Sequence, residues 1–255
     1  MKYNETFDSL VRRSAAYSEV EQKSPDWITA KTLYENNYVD CNVTQIPQKI
    51  HQVWLGGVLP HRYRLLSESW KKHNPTWEYK LWGDSDVESF GLKNRELFYN
   101  AKNMGQRSDI FRYEILNSHG GIYVDTDFEC LKSFDDLMYL DFFTGISYDT
   151  KMVLYIGLIA TVPGHPVIQR CIESLGSYVG HNAFDVMEAT GPYHFTRCFY
   201  ETVNKETKGV VAFPMDFFYP LPNYMRDTKK PYDWIKPCSY AIHHWAVTWM
   251  KKNVQ

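Results

Sequence analysis

Apolar residues recur along this chain at two different spacings, and each change of spacing predicts an element. Residues 1 to about 45 are polar with scattered apolar positions. Leu10, Val11, Ala15, Ala16 and Val20 predict a modest amphipathic helix. "SPDWITAKTLYEN" predicts a second, with Ser24 as N-cap and Pro25 at the first helical position. "IPQKIHQVWLGG" is an apolar-rich run closed by Gly56 and Gly57, hence a short buried strand entering a loop. "LPHRYRLLSESWKKHNP" predicts a helix with Leu65, Leu66, Ser69 and Trp70 on its packed side, stopped at Asn74-Pro75. "TWEYKLWGDSD" places Trp77, Tyr79 and Leu81 at strand period, and a helical stretch follows near 86–103.

The clearest helix is "GQRSDIFRYEILNSHGG". Ile110, Phe111, Tyr113, Ile115 and Leu116 supply its apolar face, and Gly120 or Gly121 ends it. "IYVD" follows as a strand. Beyond it, "FFTGIS" and "VLYIGLIATV" read as strands and "HPVIQRCIESLGSYV" as a helix. Residues 213–237, rich in Pro and aromatics, read as a long irregular loop of functional length. "SYAIHHWAVTW" closes with a strand pattern. Strands alternating with helices predict an α/β fold with a mainly parallel sheet. Such sheets bind ligands beyond the carboxyl ends of their strands, where Asp125 and Asp127 stand.

Composition narrows the classes. With 44% hydrophobic and 23% charged residues, the 255-residue chain has the make-up of a soluble globular protein with a real core. A net charge of -2 gives no basic field for nucleic acid. The five cysteines form no C-x-x-C pair, so their spacing indicates neither a disulfide framework nor a zinc site, and a reduced setting is expected. The N-terminus has no apolar h-region, and no run reaches ~18 apolar residues. No signal peptide or membrane span is therefore expected. The location expected is cytoplasmic, with peripheral membrane contact allowed. The sequons at Asn4 and Asn42 carry little weight in a chain that is not exported.

Asp125-Thr126-Asp127 is the first candidate for chemistry. A D-x-D at a strand end holds two hard oxygen ligands close together, facing different ways if strand alternation continues. Two such ligands suit Mg²⁺ or Mn²⁺ shared with phosphates; a bland reading is a solvated turn. Asp109 and Arg112 stand three apart on one helix face. They read either as a surface ion pair or, if the helix packs beside the strand, as partners of the same ligand.

"IPQKIHQVWLGG" followed by "SDIFRYEILNSHGGIYVDTD" resembles glycosyltransferase family 32, the DXD sugar transferases. These are typified by yeast initiating α-1,6-mannosyltransferase and bacterial capsule and lipopolysaccharide sugar transferases; the clostridial glucosylating toxins carry a related core. The resemblance covers roughly residues 46–130 and resumes at "SYAIHHWAVTW". It implies a GT-A (Rossmann-like) fold, with residues 1–45 as a helical N-terminal extension. Residues 46–255 would form one catalytic domain, its nucleotide-sugar-binding half at 46–130 and its acceptor-side half at 131–255. It implies retaining transfer of a hexose from a UDP- or GDP-sugar, assisted by Mn²⁺ or Mg²⁺, to a glycan or lipid-linked acceptor in surface glycan synthesis.

Carried over, the resemblance assigns metal binding to Asp127, Asp125 and His243, with His244 the alternate. Asp125 would also contact the ribose and metal-bound water. Asp109 and Arg112 would hold donor-sugar hydroxyls, Trp54 would stack on the base or line its pocket, Tyr123 would join the nucleotide-sugar site, and Trp249 would cap the diphosphate side. Two departures stand out. Thr248 replaces the family's Ser before the last Trp, and "VLYIGLIATVPGHP" has Tyr155 and Gly157 but no Asn. A glycoside hydrolase and a non-catalytic carbohydrate-binding protein are the alternatives. His51 reads as a core histidine, the aromatics at 213–224 as packing, and Lys229-Lys230 and Lys251-Lys252 as solvated pairs.

Overall fold

The computed structural model describes residues 5–11, 23–41, 43–148, 152–176 and 182–246. The expectations for Asn4, Ala15, Ala16, Val20, Asn42, Thr248, Trp249, Lys251 and Lys252 lie outside them. The leading helices are α1 (Phe7–Val11) and α2 (Pro25–Asn37). Ser24 Oγ caps α2 by accepting from Trp27 N–H at 3.2 Å, with Pro25 just inside.

The first half then runs β1 (Lys49–Val53), α3 (His61–His73), β2 (Glu78–Trp82), α4 (Asp84–Phe90), α5 (Arg95–Asn100), α6 (Met104–His119), β3 (Gly121–Val124) and β4 (Phe128–Cys130). The second half adds β5 (Phe142–Tyr148), β6 (Met152–Thr161), α7 (Pro166–Glu173), α8 (Ala183–Ala189), α9 (Pro192–Thr202), β7 (Val210–Phe213) and β8 (Ala241–His243).

Six strands form one sheet in the order β2-β1-β3-β6-β5-β7. β1 pairs parallel with β2 and β3, and β5 with β7; β6 runs antiparallel between β3 and β5. The sheet is thus mostly parallel with one reversed strand near its centre. α6 lies against β1, β3 and β6, and α9 against β6. α2 covers the β7 edge. Its Tyr34, and Tyr38 just past its end, meet Phe213 edge-on, and Asn37 Nδ2 donates to Val210 O at 2.9 Å. This blunts an otherwise open strand edge.

Two helix and strand faces differ from the sequence expectation. α3 buries Tyr63, Ser67 and Trp70, whereas Leu65 is 60% exposed. The reason is that Ser67 is wanted inside, where its hydroxyl donates to Gln52 Oε1 at 2.6 Å. β2 is an edge strand, so Leu81 faces out while Trp82 turns in to donate Nε1–H to His51 Nδ1. The stretch near 86–103 is two short helices, broken at Gly91 with φ +70°.

The turn from α6 into β3 needs its glycines. Gly120 and Gly121 have φ of +59° and +91°, and a Cβ on Gly121 would stand 2.6 Å from Lys49 O. That close approach lets β3 pair with β1. His51 reinforces it, donating Nε2–H to Gly120 O at 2.9 Å while Nδ1 accepts from Trp82. Burial lowers its pKa to about 4, so it is a neutral core histidine.

Candidate active site

Asp125 and Asp127 do not continue β3. The chain turns immediately, with Asp125 O accepting from Phe128 N–H at 3.1 Å. The two carboxylates therefore converge instead of alternating, which corrects the expectation of opposed side chains. Asp125 N–H donates to Gly157 O at 2.8 Å, and Gln52 Nε2 donates to Asp125 O at 3.2 Å. Gln52 is itself fully buried, its Oε1 accepting from Ser67 and from Tyr79. The turn is thus pinned from β1, α3, β2 and β6 together.

Below Asp125 lies a dry ionic stack. Arg112 Nη1 stands 3.3 Å from Asp125 Oδ1 and donates to Ile156 O at 2.6 Å; Nη2 stands 2.9 Å from Asp109 Oδ1. The guanidinium also lies 4.4 Å from the centre of the Tyr123 ring, and Tyr123 OH donates to Asp125 Oδ1 at 3.0 Å. Asp109 takes a second hydrogen bond from Thr190 Oγ1 at 3.0 Å. Arg112 and Asp109 are almost fully buried, so theirs is no surface ion pair. Burial pushes the Asp109 carboxyl up to about 6 against the pull of Arg112. Burial also opposes the charge on Arg112, but Asp125, Tyr123 and Asp109 outweigh it and keep it protonated.

The remaining partner comes from the far end of the chain. β8 pairs antiparallel with β4, setting His243 opposite Phe128. The two rings stack 4.3 Å apart, and His243 Nε2 meets Asp127 Oδ1 at 3.0 Å. Ala246 N–H donates to Asp127 Oδ2 at 2.7 Å and His244 N–H to Asp127 O at 3.0 Å. Burial raises the Asp127 pKa, but His243 and the Ala246 N–H more than offset it and hold the carboxyl low. Asp125 goes the other way: burial, with Asp127 beside it, raises its pKa against the pull of Arg112.

This segment bends sharply. Trp245 has φ +50°, the only positive value for a non-glycine among the described residues. Its Nε1–H is anchored to Leu221 O at 2.7 Å. That turn aims the Ala246 N–H at Asp127.

One ligand atom from each of Asp125, Asp127 and His243 lies within 4.8 Å of the others. His244 points elsewhere, to Glu129 Oε2 at 3.1 Å, which also accepts from Tyr232 OH. Trp54 follows β1, half-buried, its ring centre 5.4 Å from that of Tyr63. Tyr123 is buried beneath Asp125. Gly157 is packed closely against the site, since a Cβ there would stand 2.9 Å from Phe128 and 3.0 Å from Asp125 Oδ2.

A second D-x-D string, Asp84-Ser85-Asp86, has no such setting. Asp84 accepts from Gly56 N–H, and Asp86 accepts from Gly83 N–H and pairs with Lys80. Gln52, Phe128 and Gly157 are missing from the sequence-derived set. Gln52 alone carried a signal, as a polar residue inside an apolar strand run.

A family model, the glycosyltransferase sugar-binding region containing a DXD motif, matches residues 60–143. An uncharacterized glycosyltransferase of Acanthamoeba polyphaga mimivirus is 32% identical over 200 residues, 73% of this chain and 78% of that protein. Inositol phosphoceramide mannosyltransferase 1 of Schizosaccharomyces pombe is 31% identical over 142 residues, 52% of this chain; the match spans only 44% of that longer protein. Among solved structures, the PaToxG glycosyltransferase matches 62% of this chain and 69% of its own, at 19% identity and a TM-score of 0.49. The mixed, mostly parallel α/β sheet is GT-A-like, and the chain belongs to the glycosyltransferases whose sugar-binding region contains a DXD motif.

Proposed function

We propose that this transferase moves a hexose from a UDP- or GDP-sugar to a hydroxyl of a glycan or lipid-linked acceptor, with retention at the anomeric carbon. A divalent cation would be held by Asp125, Asp127 and His243. The observation carrying this reading is the meeting of those three side chains at the carboxyl end of β3. Their chemistry fits the ion: carboxylates suit Mn²⁺ and Mg²⁺, and the imidazole inclines the set toward Mn²⁺. His243 Nδ1 is buried and has no hydrogen-bond partner among the described residues. When bound, the cation offsets negative charge building on the departing diphosphate.

The chain's own groups do the rest. Tyr123 and Arg112 grip one oxygen of Asp125, leaving Oδ2 beside the bare Cα of Gly157. Asp109 acts through Arg112, so these two serve the donor by orienting Asp125. The half-exposed indole of Trp54 offers the base a face. Capping by Trp249 stays part of the proposal.

The fission-yeast relative, an inositol phosphoceramide mannosyltransferase, supports a glycolipid or glycan acceptor. No described helix is long and apolar enough to cross a membrane; peripheral membrane contact stays part of the proposal. A glycoside hydrolase is the weaker reading. It needs an acid and a second carboxylate flanking one bond, whereas Asp125 and Asp127 sit side by side on one turn, Asp127 tied to His243 and Ala246.

The test is a panel of nucleotide sugars incubated with Mn²⁺ or Mg²⁺, reading release of nucleoside diphosphate. Metal-dependent hydrolysis of one donor is expected, and the anomeric configuration of its transfer product follows by NMR. Failure of every donor with either ion, together with metal-free cleavage of a nitrophenyl glycoside, would favour the hydrolase.

A further inference from the structure

A second group of ligands lies away from the acids, between α7 and α9. Cys171 comes from α7; His194 and Cys198 come from α9, four residues apart and so on one face. All three are buried, and one donor atom from each lies within 4.8 Å of the others. His194 Nε2 stands 3.6 Å from Cys198 Sγ. Sulfur and nitrogen ligands at about 2.3 and 2.0 Å from a tetrahedral zinc are themselves about 3.6 Å apart. Ser174 Oγ, at the end of α7, lies 3.2 Å from the same sulfur.

We propose that Cys171, His194 and Cys198 bind one Zn²⁺, with Ser174 Oγ or a water as the fourth ligand, and that the ion clamps α7 to α9. Two thiolates and an imidazole are a soft to borderline set that zinc takes and Mn²⁺ does not favour, so this site is chemically distinct from the acid site.

The metal-free geometry also shows what binding must displace. His194 Nε2–H donates to Cys171 O at 3.0 Å. On binding, that nitrogen turns its lone pair to the ion, the ring carries its proton on Nδ1, and the Cys171 and Cys198 thiols release their protons to solvent.

A disulfide between Cys171 and Cys198 is the competing use of the same pair. Redox-sensing thiols are exposed to oxidant, whereas these two are buried and their sulfurs are not bonded to each other. The clamp also has something to hold. α9 begins just after Thr190, whose hydroxyl seats Asp109 and whose carbonyl accepts from Tyr113 OH at 2.8 Å. The ion would stiffen the frame behind the ionic stack without touching it.

The test uses the whole chain, purified with reduced thiols and no metal-affinity tag. About one equivalent of zinc by elemental analysis is expected. Cobalt exchanged for it should give visible bands of tetrahedral cobalt and a sulfur-to-cobalt band in the near ultraviolet. The acid site contains no sulfur and cannot produce that band. Cys198→Ser and Cys171→Ser should each lose it; if either fails to fold, the wild-type spectrum and His194→Gln, which keeps both sulfurs but loses tetrahedral binding, still decide. A folded, reduced wild type with neither zinc nor the sulfur-to-cobalt band overturns the proposal. So does a mass lighter by two hydrogens with a Cys171–Cys198 cross-linked peptide.

Discussion

Replacing Gly157 by alanine adds one methyl at the tightest point of the site. On the existing backbone it would stand 2.9 Å from Phe128 Cε2, 3.0 Å from Asp125 Oδ2 and 3.5 Å from the Tyr219 hydroxyl. Gly157 is not among the glycines with positive φ, so alanine meets no backbone strain there. The effect must come from the contacts. The Phe128 ring lies flat on His243, so pushing it aside carries the imidazole with it. One methyl thus displaces two of the three proposed ligands. Overpacking of this kind costs about 1–3 kcal/mol, and each kcal/mol lowers the Tm of a chain this long by roughly 2–4 °C. Misplacing two ligands should weaken Mn²⁺ binding at least tenfold, or about 1.4 kcal/mol. Calorimetric titration of Mn²⁺ in the presence of UDP or GDP measures this, with a urea midpoint to confirm folding. A folded Gly157→Ala protein that binds Mn²⁺ as tightly as wild type would refute the reasoning.

Three further outcomes follow from the same geometry. Arg112→Lys replaces a planar fork that reaches Asp109, Asp125 and Ile156 O with a single ammonium; breaking a buried pair costs about 3–5 kcal/mol, so a large fall in urea midpoint is expected, and an unchanged midpoint would count against the ionic stack. His165 caps α7 through Nδ1, which accepts from Val167 N–H, and burial lowers its pKa to about 4. Because the folded pKa lies below the unfolded 6.5, the stabilisation is complete above about pH 6.5 and is lost as pH falls toward 4. The loss between pH 6.5 and 5 is roughly 2 kcal/mol. His165→Asn keeps a capping side chain without titrating, so its denaturation midpoint should fall less over that range. Ser24→Ala should cost about 1 kcal/mol through the lost α2 cap and leave donor hydrolysis unchanged, as a control far from the acids.

Much of this was legible in the sequence because it is local. The α6 apolar face, the Gly120-Gly121 turn and the D-x-D at the end of β3 each follow from residues a few positions apart. The Ser24 cap and His51 as a core residue were legible for the same reason. What was not legible depends on contacts between distant segments. The 125–127 turn is set by Gly157 and Gln52, and nothing in "VDTD" says that the strand stops. α3 rotated away from its leucines because Ser67 has a polar partner in β1. β4 is short and forms only because β8, more than a hundred residues later, pairs with it. α8, α9 and β7 are not among the elements that the apolar spacing predicts, so the pairing of His194 and Cys198 opposite Cys171 is visible only in the fold.

If Asp127, set beside Asp125 and His243, holds a cation with a nucleoside diphosphate, thermal unfolding with Mn²⁺ plus UDP or GDP will register it, on wild type and on Asp127→Asn. At a hundredfold excess over Kd the ligand should add about 2.7 kcal/mol, a rise of roughly 5–11 °C in Tm for this length. That rise is expected in wild type with one of the two nucleotides, and none in Asp127→Asn. No rise in wild type with either nucleotide, or an equal rise in the variant, would contradict it.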